Sequence, residues 1–148
     1  MLVDGDIASP TLGTDIGLAP NLSWINAVSQ SLPPAEVIVR SQKTNLCVMP
    51  MSKLVSRVTW PRFIFDSLGE LINNVRNHFD LVVLDLGPTS QLLAELSRPD
   101  NLVDATLLVH DGIAHAKFNN TKARLESFGL KKIMIAQNRA RKTRASVA

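Results

Sequence analysis

Phe79-Asp-Leu-Val-Val-Leu-Asp-Leu-Gly-Pro88 is the stretch that decides the fold. Its aliphatic run, Leu81–Leu84, stops at Asp85. An unbroken aliphatic run of this length fits a strand buried on both faces, the pattern of a parallel sheet covered by helices. Met1-Leu-Val-Asp-Gly-Asp6 repeats the arrangement at the start of the chain, with a shorter run ending at Asp4 and a second acid two residues on. Acids at the carboxyl ends of such strands stand where open α/β sheets bind their ligands.

Working outward, strand and helix signals alternate. Met1–Val3, Leu46–Met51, Leu81–Leu86, Ala105–Val109 and Ile133–Ala136 read as strands. Leu12–Leu18 reads as a short helix or turn. Trp24–Gln30 reads as a helix, with Leu22, Ile25 and Val28 at helical spacing and Asn21 or Ser23 as its cap. After Pro61, the residues Phe63, Ile64, Leu68, Leu71, Ile72 and Val75 recur at three- and four-residue steps, the stripe of an amphipathic helix. Ser90–Leu96 reads as a short helix, and Ala114–Ser127 as a longer one stopped by Gly129. This βαβ alternation predicts an α/β fold of three layers, a mostly parallel sheet with helices on both faces.

Composition narrows the function classes. The 148 residues suit one domain, expected over 1–138, with a basic tail over 139–148. Net charge is +3, and Arg139, Arg141, Lys142 and Arg144 carry more than that excess, so no nucleic-acid partner is expected of the body. The single cysteine, Cys47, rules out an internal disulfide and reads as a buried thiol. No run reaches the ~20 apolar residues of a membrane span, and no secretory signal pattern opens the chain. A cytoplasmic location is expected, with any membrane association through a partner.

Two acidic strand ends side by side suit a hydrated Mg²⁺ next to a nucleotide phosphate. Each acid also has a plainer reading. Asp85 would cap the backbone N–H groups of the loop that follows, and Asp6 would form a turn. Asp4 would bond a neighbouring loop. Three carboxylates near one site repel unless a cation compensates, so one of them should face water or hold its proton. His110, Asp111 and His115 match no zinc spacing and read as a surface loop. Trp24 and Trp60 read as packing residues. A Gly-x-x-x-x-Gly-Lys-Ser/Thr phosphate loop does not occur among the 148 residues.

Val3-Asp-Gly-Asp-Ile-Ala-Ser-Pro10 with Leu12-Gly13, the Leu46–Pro50 run, Phe79–Pro88, Val103–Val109 and Ile133–Asn138 together resemble bacterial tyrosine kinases of the capsular and exopolysaccharide type. These belong to the P-loop ATPases that include MinD and ParA. The resemblance implies a P-loop NTPase-like fold lacking its first strand and phosphate loop, with ATP and Mg²⁺ as cofactors. It makes Asp85 the Walker B acid that holds the metal through water. It makes Asp6 a second metal ligand, Asp4 and Asp6 the acids that assist the metal or the attacking hydroxyl, and Asn138 the contact to adenine. The implied partners are a membrane polysaccharide co-polymerase or export protein, or further copies of the chain. Ala8 stands where the resemblance calls for arginine, Gly87 where it calls for proline, and there is no tyrosine. Three readings follow: a tyrosine-kinase module inactive as this chain stands, a MinD- or ParA-type relative, and a non-enzymatic pseudo-ATPase that docks on an export protein.

Overall fold

The computed structural model describes residues 1–6, 9–18, 23–52, 63–87, 102–110 and 115–138, with the side chains of 63–65 and 115–117 left aside. The chain divides into two compact units, Met1–Ser97 and Arg98–Ala148.

The first unit is built on a four-stranded sheet. β1 (Leu2–Asp4) lies at its centre, with β3 (Cys47–Met49) on one side and β4 (Val83–Asp85) on the other, both parallel to it. β2 (Val39–Arg40) pairs antiparallel with β3 and makes the sheet mixed. The Pro33-Pro34 pair that precedes β2 leads into a 3-10 turn over Pro34–Val37. From there the chain returns through a short hairpin rather than a long crossover, so the strand it adds is antiparallel.

Among the described residues this unit has three helices: α1 (Leu12–Asp15), α2 (Trp24–Ser29) and α3 (Phe63–Arg76). The stripe read from α3 is the buried one: Leu68, Leu71, Ile72 and Val75 are all inside. Each such side chain taken from water contributes about 1.5–3 kcal/mol. They join Val3, Met49 and Trp24, which have no exposed surface. Cys47 is a buried free thiol, as its apolar surroundings in sequence indicate.

Ser23 corrects the capping expectation. It stands at the N-cap of α2 in extended conformation, but its hydroxyl caps nothing and is buried without a hydrogen-bond partner. Trp24 anchors the helix instead. Its backbone N–H donates to the Pro50 carbonyl at 3.0 Å, and its indole Nε1–H donates to the Asp4 carbonyl at 2.7 Å. The helix start is thus tied to the ends of β3 and β1. Asn21, Trp60, Pro61 and the Ser90–Leu96 helix lie outside the described residues.

The second unit contains β5 (Thr106–His110), α4 (His115–Ser127) and β6 (Ile133–Gln137). β5 and β6 pair in parallel, Leu107 beside Met134 and Val109 beside Ala136. Gly129 follows α4 at φ +86°, the left-handed position expected of it. His110 and Phe118 meet ring to ring, their centroids 5.7 Å apart.

The expectation of burial on both faces, made for the two runs that end in acids, holds for β1, where Val3 and Asp4 are buried, and fails for β4; β3 is buried as well, while β5 and β6 are largely exposed. Val83 is 46% exposed, and Leu107, Val109, Met134 and Ile135 are each more than half exposed. A strand's faces are buried by what packs above and below the sheet, aided by the side chains of the strands beside it. Among the described residues β4 is hydrogen-bonded on one side only, and β5 and β6 have only each other, so the flanking contribution is smaller there.

Candidate functional site

The parallel register of β1 and β4 sets Asp4 directly beside Asp85. The two acidic strand ends singled out from the sequence are therefore neighbours. Their carboxyl ends are held together by the backbone: the Gly5 N–H donates to the Asp85 carbonyl at 2.7 Å. The approach needs a glycine, because a Cβ on residue 5 would come within 2.9 Å of that carbonyl oxygen and of Leu84 Cδ1.

The three carboxylates occupy different environments. Asp4 is buried, 1% exposed. Its Oδ1 accepts the Asp6 N–H at 3.2 Å, and its Oδ2 is buried with no hydrogen-bond partner. Burial raises its pKa to about 6, the charges of Asp85 and Asp6 push the same way, and the Asp6 N–H opposes them. Asp85 is exposed, and its Oδ1 accepts the N–H of Gly87 at 2.9 Å. Asp6 is half-buried, and its Oδ1 accepts the N–H of Ser9 at 3.0 Å. The turn and capping roles weighed for Asp6 and Asp85 are thus both realised. The expected relief of carboxylate repulsion is realised twice, by an acid that tends to keep its proton and by one that faces water.

Among the described residues, no three of His, Cys, Asp and Glu are placed to hold a metal by themselves. Mg²⁺ is commonly bound through one or two carboxylates, with water and phosphate completing its shell. The Oδ2 of Asp4 is a further buried acceptor, without a hydrogen-bond partner among the described residues.

Asn138 belongs to the second unit. It follows β6, and its N–H donates to the His110 carbonyl at 2.7 Å, extending the β5–β6 ladder. Asp111 lies outside the described residues, as does the side chain of His115. Gly87, two residues beyond the strand-end acid Asp85, is a position that residue types alone do not single out; it has φ +64° and bonds Asp85 through its N–H. No helix among the described residues is long and apolar enough to cross a membrane.

No protein-family model matches the sequence, and no curated protein does. Solved structures do match. The kinase domain of VpsO superposes with a TM-score of 0.72 at 15% identity, over 93% of this chain and 69% of that one. The kinase domain of the Escherichia coli tyrosine kinase ETK gives 0.72 at 17% identity, over 95% and 56%. MinD in the Aquifex aeolicus MinC:MinD cell division complex gives 0.71 at 15%, over 95% and 56%. The fold is P-loop NTPase-like, shared with bacterial tyrosine kinase domains and MinD. Likeness at this level of identity establishes architecture, and function is a matter of the site. The chain spans little more than half the length of two of these structures.

Proposed function

We propose that this chain is a tyrosine-kinase-type P-loop-ATPase-like module that carries the metal-binding half of a nucleotide site and does not by itself transfer phosphate. The observation that carries this reading is the register of β1 and β4, which sets Asp4 against Asp85 at adjacent carboxyl ends. Asp85 and Asp6 are the residues that would hold Mg²⁺ through water, with Asp4 beside them. A bound Mg²⁺ supplies charge neutralisation for phosphate oxygens.

Phosphoryl transfer depends almost wholly on positioning and charge stabilisation. The backbone N–H cradle and lysine of a phosphate loop are not among these 148 residues. The chain's own acids can orient water and a cation; burial raises the pKa of Asp4 to about 6, so it limits the negative charge gathered there only below that pH. ATP is the nucleotide that the resemblance implies, and Asn138 its proposed adenine contact. The work proposed for the module is docking on a membrane polysaccharide co-polymerase or export protein, or on copies of itself, from the cytoplasmic side. A MinD-type reading is the second one, favoured by the comparable likeness to MinD in its complex with MinC.

Titration of the 148-residue chain with Mn²⁺ as a spectroscopic stand-in for Mg²⁺, with Asp85→Ala as control, tests the reading. Binding that the substitution abolishes is expected, with no ADP formed from Mg²⁺-ATP. A folded wild-type chain that takes up no Mn²⁺, or one that turns over ATP, would overturn it.

A further inference from the structure

We propose that Gly87 is a positioning residue for the acidic cluster: its missing side chain makes room for the Asp6 carboxylate against the turn that follows Asp85. This rests on the cation-site reading above and adds a determinant that the acids themselves do not reveal.

Gly87 has φ +64°, in the left-handed region that residues with a Cβ enter only at a cost. Its backbone N–H donates to Asp85 Oδ1 at 2.9 Å. The place where its Cβ would project is taken by Asp6: the added atom would overlap Oδ2 and Cγ and lie 2.8 Å from Oδ1. Asp6 is not free to step aside unopposed, because Oδ1 accepts the Ser9 N–H and the Asp6 N–H is bonded to Asp4. One residue therefore offers its N–H to the first carboxylate and its bare Cα to the second. The turn after β1 and the turn after β4 interlock there. Proline, which the resemblance calls for at this position, has φ fixed near −65° and no N–H to give Asp85. The departure from that pattern is what the observed geometry requires.

The test is a double-mutant cycle on the 148-residue chain: wild type, Gly87→Ala, Asp6→Ala and the double variant. Mn²⁺ affinity and urea stability are measured on all four. Gly87→Ala is expected to weaken Mn²⁺ binding about tenfold or more, as Asp6→Ala does, the scale seen when a residue that orients a metal ligand is lost. If both act through one carboxylate, the double variant binds within about twofold of Asp6→Ala, because the effects are not additive. The loss of stability caused by Gly87→Ala should shrink once Asp6 is already Ala. A folded Gly87→Ala with wild-type Mn²⁺ affinity, alongside a weakened Asp6→Ala, would overturn the proposal. If the wild type binds no Mn²⁺, the cation-site reading fails by itself, and the stability cycle alone decides the interlock. Equal losses with and without Asp6 would then refute it. Should Gly87→Ala fail to fold, Gly87→Asn adds the same Cβ while tolerating positive φ, and takes its place in the cycle.

Discussion

β3 and β6 are both short aliphatic strands with one parallel neighbour, yet they differ in what else surrounds them. β3 has a neighbour on each side, and Cys47, Val48 and Met49 are all buried. β6 has one neighbour among the described residues, and Met134 and Ile135 are more than half exposed. The same residue types thus carry different energetic weight. Strand composition sets what a strand can bury, and its neighbours set what it does bury.

A pair of identical substitutions tests this most directly. Met49→Ala, at a fully buried position, is expected to cost about 2–5 kcal/mol. Met134→Ala, 54% exposed, is expected to change stability by no more than about 0.5 kcal/mol. Urea unfolding followed by tryptophan fluorescence and circular dichroism checks both. A Met134→Ala loss as large as that of Met49→Ala would show that the exposed face is covered in solution and would break the contrast.

The next effect lies in the acidic cluster and depends on pH. Asp4 holds its proton to about pH 6 in the fold and releases it near pH 3.9 when unfolded. Between these values the folded chain binds more protons, so stability falls as pH rises through that window. Asp4→Asn mimics the protonated acid and removes the slope. Its advantage over wild type should be absent below about pH 4 and reach ~2–3 kcal/mol above pH 7. A wild type that instead gains on the variant with rising pH would mean that the carboxylate form is the one the fold prefers.

The smallest effect sharpens the account of α2. An N-cap serine replaced by alanine ordinarily costs about 0.5–2 kcal/mol. Ser23 makes no cap bond and its hydroxyl is orphaned, so Ser23→Ala should be neutral within about 0.5 kcal/mol or slightly stabilising. A clear loss in thermal unfolding would show that the hydroxyl has a partner in solution.

Much of the first unit was legible in the residues. The strand at Leu46–Met51, the α3 stripe and the two acidic strand ends could be placed from hydrophobic spacing, and the register confirms that the acids are neighbours. β2 was not legible, because two residues leave no period to read and its direction follows from the hairpin. Ser23 stands at the N-cap as read, but its hydroxyl makes no cap bond, because local spacing places a cap residue without setting its side-chain orientation.

By itself, then, the sequence determined the α/β class, the approximate strand positions and the presence of acids at strand ends, because these follow from periodicities of two to four residues. Only the tertiary structure decided which acid is buried and proton-holding, which faces water, and where the second carboxylate fits. Those depend on desolvation by residues far away in the chain, and on a missing Cβ at Gly87 whose space is filled by Asp6, eighty-one positions earlier.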